Sequence, residues 1–330
     1  MNITILGAGA WGTALAISFS HDHIVQLWGR DPHQMAEMSA QRKNIRYLSG
    51  ITIPTAITLT ADLNAALSNT DLVLSVVPTA ALRETLRMLA KLAPGLPVIW
   101  ACKGFEQISG KLAHQIAAEE LGEHAQYGVL SGPSFAREIA EGKPAALTLA
   151  AKDKQFADET ARQLHNNRLR VYSCTDIAGV ELGGALKNVI AIAAGISDGL
   201  GLGNNARAAL ITRGLAEATR LGLRLGGQLE TFMGLTGLGD LVLTTTGDLS
   251  RNRRVGLALA SGEPIATILQ NLGHVAEGVY TAPEVVRIAA NLGLEMPLTE
   301  AVCGVIEGKL TATAAAEALM RRDPKTESYS

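Results

Sequence analysis

Several things are scarce in this chain. Cysteine is one: Cys102, Cys174 and Cys303 are an odd number with no CxxC spacing. That excludes a disulfide framework, makes a zinc site unexpected, and fits a reducing cytosol. The seven histidines form no HExxH pattern, so no metal is expected. Aromatic residues make up only 4%, so the core must be built from Ala, Leu, Val and Ile. Neither charge sign dominates: Lys plus Arg is 29, Asp plus Glu is 31, and the net charge is −2. That balance removes the global electrostatic reason to bind nucleic acid or an anionic membrane. No apolar run reads as long enough to span a bilayer, so no integral membrane segment is expected. The apolar start, MNITILGAGAWGTALAISF, lacks the Lys/Arg n-region of a signal peptide.

Apolar residues, by contrast, reach 47% over 330 residues, enough for a large core and about two domains. Glycine is abundant at 34 residues, which points to tight turns and close backbone contacts. The first half alternates short apolar strands with amphipathic helices. Strands are expected at 3–6, 24–28, 56–59, 72–76, 98–101, 127–130, 145–149 and 169–172. Helices are expected at 14–20, 82–92, 111–121 and 156–164. This is the pattern of βαβ units in a mostly parallel sheet covered on both faces. After Cys174 no convincing strand follows. Ala/Leu/Gly-rich helical stretches take over at 179–197, 206–223, 255–261, 282–292 and 313–321. The expected organisation is a dinucleotide-binding domain over 1–178 and a helical substrate domain over 179–330. The fold class is α/β: an N-terminal Rossmann-type, doubly wound sheet followed by an all-helical C-terminal domain.

Gly7-Ala8-Gly9-Ala10-Trp11-Gly12 matches GxGxxG. It follows a strand and opens a helix, the context in which this motif binds a dinucleotide. Gly7 makes the tight turn, Gly9 lets a pyrophosphate approach, and Gly12 allows close helix–strand packing. A ligand-free glycine turn is the plainer alternative. At the end of the second strand, Arg30 stands where an acidic residue would recognise the ribose of NAD, and Asp31 follows. A guanidinium there suits a 2′-phosphate or stacks on adenine, so NADP or dual use is expected. The alternative is a solvated surface arginine.

Lys103, Val77-Pro78 and Gly132-Pro133-Ser134 follow expected strands, at the carboxyl ends that line the ligand crevice of an open parallel sheet. Lys103 is either a ligand contact there or a solvated loop lysine. In the helical half, Lys187 interrupts an apolar helix. Gly183, Gly184 and Ala191 share its face. Two helical glycines cost about 1 kcal/mol each relative to Ala, so something requires them: another helix packed close, or a pocket holding a partly desolvated lysine. Further on, Gly237-Leu238-Gly239-Asp240 precedes an apolar stretch. Ser250-Arg251-Asn252-Arg253-Arg254 then opens another helix. Ser250 fits an N-cap, and the helix start with Arg251 fits an anion. The alternative is a basic surface turn.

Taken together, GAGAWGTALA, WACKG, SGPSFA, GGALKNVIAIAAG, GLGDLVLT and SRNRR resemble bacterial NAD(P)-dependent glycerol-3-phosphate dehydrogenase. The resemblance runs in order from the first strand to about residue 310. It implies a cytoplasmic enzyme that reversibly reduces dihydroxyacetone phosphate to sn-glycerol 3-phosphate, the phospholipid backbone, with NADP or NAD. It implies that Lys187 is the proton acceptor for glycerol 3-phosphate oxidation, with Asp240 positioning its amine. Substrate contacts are implied at Lys103, Gly132, Ser134, Lys187, Asp240, Ser250, Arg251 and Asn252. Cofactor contacts are implied at Ala10, Trp11, Arg30, Lys103, Ala136, Arg251, Val275 and Glu277, beside the fingerprint glycines. Ala10 stands where many members have Ser, which puts one phosphate hydrogen bond in doubt. The stretch 42–53 matches only loosely and suggests no role. The oligomeric state is not fixed, and a homodimer is compatible.

Two other readings remain at this point. One is a β-hydroxyacid-type two-domain dehydrogenase, which also places a lysine on a helix after its dinucleotide domain; Ser250-Arg251-Asn252 discriminates against it. The other is a non-catalytic NAD(P)-sensing regulator, against which Lys187 and Asp240 speak.

Overall fold

The computed structural model describes residues 1–273 and 275–323. Two compact units emerge. The first comprises Met1–Cys102 and Ala113–Ile177; the second comprises Lys103–Leu112 and the chain from Ala178 onward. A division at 178/179 does not anticipate the excursion Lys103–Leu112, which leaves the first unit just where Lys103 begins.

The first unit is built on an eight-stranded sheet. Its strands are β1 (Asn2–Leu6), β2 (Ile24–Trp28), β5 (Thr58–Thr60), β6 (Leu72–Ser75), β7 (Val98–Trp100), β8 (Tyr127–Ser131), β9 (Ala145–Ala151) and β10 (Leu169–Cys174). The order is β10-β9-β8-β7-β6-β1-β2-β5. Every neighbouring pair is parallel except β8 with β9. The chain runs from β1 outward to β2 and returns to β6 on the other side, so the strand order reverses at β1. The carboxyl end of β1 therefore sits at a switch point, where open sheets of this kind leave a crevice. Ile3, Ile5, Val25, Leu27 and Leu74 are buried, as expected for strands covered on both faces.

Helix α1 (Ala10–Phe19) follows β1 directly, and every residue from Gly12 to Phe19 is buried. Asp31 turns out to be the N-cap of α2 (Pro32–Gln41), accepting from the His33 and Gln34 amides at 3.0 and 3.3 Å. The 42–53 stretch folds as a small antiparallel hairpin, β3 (Lys43–Asn44) with β4 (Leu48–Thr52). Arg42 enters it in the left-handed region (φ 49°), and its guanidinium donates to the carbonyls of Ile53, Pro54 and Ile57. Helices α3 (Leu63–Leu67), α4 (Thr79–Leu92), α5 (Ala113–Leu121), α6 (Ala136–Ala140) and α7 (Lys154–Leu164) complete the unit.

From α8 (Ile177–Gly199) onward the described residues form helices only. α9 (Gly203–Arg224) and α10 (Leu229–Met233) lead to a π-helical turn, Leu235–Gly239, and then to α11 (Asp240–Thr246). α12 (Arg251–Ala260), α13 (Ile265–Leu272), α14 (Glu277–Asn291), α15 (Pro297–Ile306) and α16 (Ala312–Met320) follow. The expectation that no apolar run could span a bilayer needs correction. α8 is 23 residues long, and its most apolar 18-residue window has mean hydropathy 1.5. That window is 94% buried among protein, so α8 is the central core helix of its unit.

Candidate functional site

In the helical unit, α8 meets the π-turn that leads into α11 at backbone distance. A Cβ on Gly183 would stand 2.7 Å from the Thr236 carbonyl oxygen, so close packing is what requires this glycine. One turn further along each segment, at Lys187 and Asp240, the same approach brings an amine onto a carboxylate. Lys187 Nζ donates to Asp240 Oδ1 and, at 3.0 Å, to Thr244 Oγ1. Lys103 Nζ donates to Asp240 Oδ2 at 2.6 Å. The Thr244 hydroxyl donates to the Asp240 carbonyl at 2.6 Å, which turns its lone pairs toward the lysine. Asp240 is 1% exposed, and the Lys187 side chain 10%. The Gly183 face thus packs closely against the π-turn, and Lys187 on the same face is desolvated.

Burial lowers the Lys187 pKa from 10.5 to about 7; the Lys103 charge pushes the same way, and Asp240 opposes. Burial alone would raise the Asp240 pKa, but the two ammonium groups outweigh it and hold the carboxyl below its usual range. An amine titrating near neutrality suits general acid–base work. Two cations on one carboxylate also leave the cluster a surplus positive charge while Lys187 is protonated.

A second crossing fixes the start of α12. A Cβ on Gly195 would lie 2.1 Å from the Arg253 carbonyl oxygen, and one on Gly256 2.1 Å from that of Ile192. Asn252 donates to Asn188 Oδ1 at 2.9 Å and accepts from the Gly278 amide at 3.1 Å. These bonds tie the starts of α12 and α14 to α8 beside Lys187. Ser250 caps α12 by accepting from the Arg253 amide at 3.2 Å. The amides of Arg251 and Asn252 lie in the first turn, where a helix has no acceptor of its own. Arg251 is exposed, yet crowding around its guanidinium lowers the pKa, with Glu277 opposing. Val275 is 42% exposed just before Glu277, the first residue of α14.

In the α/β unit the fingerprint glycines divide by role. A Cβ on Gly7 (φ +118°) would lie 2.6 Å from the Val76 carbonyl oxygen, and one on Gly12 1.9 Å from that of Gly7. A Cβ on Gly9 would meet no protein atom within 4 Å. Protein packing therefore accounts for the first and third glycines, while the second faces open space. Ala10 and Trp11 are half-buried at the start of α1. Arg30 is exposed and makes no ion pair among the described residues. At the end of β8, Gly132 takes φ +139°. Ser134 Oγ donates to its carbonyl at 3.0 Å, and Ala136 opens α6. Ser75 and Ser131 close β6 and β8 with buried hydroxyls that find no partner among the described residues. An open second glycine and orphaned hydroxyls at the carboxyl edge fit a bound dinucleotide.

The structure thus gathers Gly7, Gly9, Ala10, Trp11 and Gly12 at one strand end and Gly132, Ser134 and Ala136 at another. It joins Lys103, Lys187 and Asp240 in one ion cluster, with Ser250, Arg251, Asn252 and Glu277 at two helix starts braced on α8. Thr244 and Asn188 were missed in the sequence. Their signal was present: Thr244 lies four residues after Asp240 on one helix face, and Asn188 is a second polar residue in the apolar run around Lys187.

Comparison with known proteins gives the same direction. Residues 2–157 match the family model described as NAD-dependent glycerol-3-phosphate dehydrogenase N-terminus, and residues 176–317 match that of the C-terminus. A glycerol-3-phosphate dehydrogenase [NAD(P)+] of Nitrosospira multiformis is 60% identical over the full length of both chains. One of Dechloromonas aromatica is 57% identical over 99% of each. The crystal structure of glycerol-3-phosphate dehydrogenase from Coxiella burnetii superposes with TM-score 0.93 at 43% identity, covering 97% of this chain and 99% of that one. The β-hydroxyacid-type and non-catalytic readings give way, and the chain belongs to the NAD(P)-dependent glycerol-3-phosphate dehydrogenase family.

Proposed function

We propose that this chain interconverts dihydroxyacetone phosphate and sn-glycerol 3-phosphate, and that Lys187 exchanges the proton of the substrate hydroxyl. The observation that carries the residue assignment is the buried Lys187–Asp240–Lys103 cluster, in which burial lowers the Lys187 pKa to about 7. The nicotinamide cofactor, NADP or NAD, supplies or accepts the hydride when bound. In the reductive direction protonated Lys187 donates to the ketone oxygen and delivers its proton as the alkoxide develops. In the oxidative direction the neutral amine takes the hydroxyl proton. Asp240 and Thr244 hold the amine in place. The Lys103 charge favours the neutral amine and helps to attract the anionic substrate.

The substrate phosphate is assigned to Arg251 and the free amides at the start of α12, where the helix dipole favours an anion. Ser250, Asn252, Gly132 and Ser134 complete the substrate set. The cofactor is assigned to Gly7, Gly9, Ala10, Trp11, Gly12, Arg30, Lys103, Ala136, Arg251, Val275 and Glu277. The exposed Arg30 guanidinium favours the 2′-phosphate of NADP. The product provides the backbone for glycerophospholipid synthesis. A cytoplasmic setting and a homodimer belong to the same proposal. Three free cysteines support the former; exposed Leu223, Leu229 and Met233 on α9 and α10 support the latter. The test is oxidation of NADPH and NADH with dihydroxyacetone phosphate, glyoxylate and hydroxyisobutyrate-type semialdehydes. Turnover confined to dihydroxyacetone phosphate is expected, and comparable turnover of the unphosphorylated substrates would overturn the reading.

A further inference from the structure

The hairpin of β3 and β4 had no role in the sequence, yet its buried polar residue reaches into the glycine fingerprint. Asn44 is 1% exposed. Its Nδ2 donates to the Ala8 carbonyl at 3.0 Å and to Thr13 Oγ1 at 2.8 Å, while its Oδ1 accepts from the Tyr47 amide at 3.2 Å. Both amide hydrogens and one lone pair are thus committed, so the side chain has one orientation. Gln34, on α2, donates to the same Ala8 carbonyl at 3.0 Å. Two side-chain amides from separate elements converge on one carbonyl in the middle of GAGAWG.

The consequence lies on the far side of that peptide. In a trans peptide the C=O and N–H point in opposite directions. Fixing the Ala8 oxygen toward Asn44 and Gln34 therefore fixes the Gly9 N–H away from them. That N–H donates to no protein acceptor among the described residues. It lies beside the Gly9 position, where a Cβ would meet nothing within 4 Å. Without the clamp, the Ala8–Gly9 peptide could rotate, since Gly9 tolerates almost any backbone angle. Thr13 ties the same asparagine to α1, so the turn and the helix N-terminus are set as one piece.

We infer that Asn44, seconded by Gln34, is a positioning residue that aims the Gly9 amide at the pyrophosphate of the cofactor. This rests on reading the fingerprint as the dinucleotide site. Asn44 touches no cofactor atom itself; it acts through the Ala8–Gly9 peptide. The loss should therefore follow the pyrophosphate rather than the adenine end.

The test is Asn44→Leu, which keeps the branching at Cγ and is neutral, so that no charge is placed near a phosphate. Dissociation constants are measured by calorimetry for NADPH, for 2′-phospho-ADP-ribose, and for 2′-AMP, which lacks the pyrophosphate. Losing one well-aimed hydrogen bond to an anion predicts about tenfold weaker binding of the first two. 2′-AMP should be unchanged, and kcat at saturating NADPH should stay within about twofold. Gln34→Met removes the second donor from a half-buried position, and the same pattern is expected at about threefold. It carries the test if Asn44→Leu does not fold. Equal weakening of all three ligands, or none, overturns the inference. Failure of the unaltered protein to bind NADPH or 2′-phospho-ADP-ribose would instead overturn the dinucleotide reading beneath it.

Discussion

Lys187 is worth about as much as its surroundings make of it. An exposed lysine is protonated throughout the neutral range. Here burial brings the pKa down to about 7, against the pull of Asp240. If Lys187 exchanges the proton as proposed, the oxidative reaction needs the neutral amine, so kcat/KM for glycerol 3-phosphate should rise with pH and level off above about 7. The reductive reaction needs the ammonium, so kcat/KM for dihydroxyacetone phosphate should fall over the same range. Thr244 accepts from the ammonium and so favours it; Thr244→Val should move both limbs to lower pH. Profiles flat between pH 6 and 8 in both directions would remove Lys187 from proton transfer. At the other end of the reaction, Arg30 is exposed and makes no ion pair among the described residues. If it reads the 2′-phosphate, Arg30→Ala should raise KM for NADPH far more than for NADH. An equal rise would mean that it stacks on adenine instead.

Helices α8 and α12 show what an element must give up to place such residues. Gly195 and Gly256 let two backbones touch, with no room for even a methyl group. Asn188 and Asn252 then lock the contact beside Lys187. Gly256→Ala forces a Cβ to within 2.1 Å of the Ile192 carbonyl oxygen, and the helices must separate. A loss of about 1–3 kcal/mol, the usual range for overpacking, is expected and is read as a lower Tm. The start of α12 makes a separate, functional prediction. Hydrogen bonds to charged groups contribute about 1.5–3 kcal/mol, so Arg251→Ala should lower kcat/KM for dihydroxyacetone phosphate at least about tenfold. Unphosphorylated dihydroxyacetone, with no anion to lose, should be almost unaffected. NADPH affinity is measured alongside, because Arg251 is also proposed to contact the cofactor. Equal loss on both substrates would place the phosphate elsewhere, with Lys103 the next candidate.

At the scale of the whole chain, the proposed roles divide between the two units: the sheet unit holds the glycine turn and Arg30, and the helical unit holds Lys187. Much of this was legible in the sequence, because β-branched runs ending in glycine announce strands such as β1, and Lys187 stands out in an apolar helix. Other parts were not. Lys103–Leu112 joins the second unit through contacts that no local pattern encodes. The β3–β4 hairpin is short and polar, and Asn44 gains meaning only when folding sets it against Ala8. The glycines of α8 and α12 were visible, but the partner backbone that requires each one was not. The central claim is that proton exchange resides in Lys187, apart from cofactor binding. Lys187→Ala tests it by pairing steady-state turnover of dihydroxyacetone phosphate with calorimetric NADPH binding on one preparation. The account predicts a fall in kcat of about 10²–10⁴-fold, typical of a lost acid–base group, with the NADPH dissociation constant nearly unchanged. Near-normal turnover in the folded variant would contradict it.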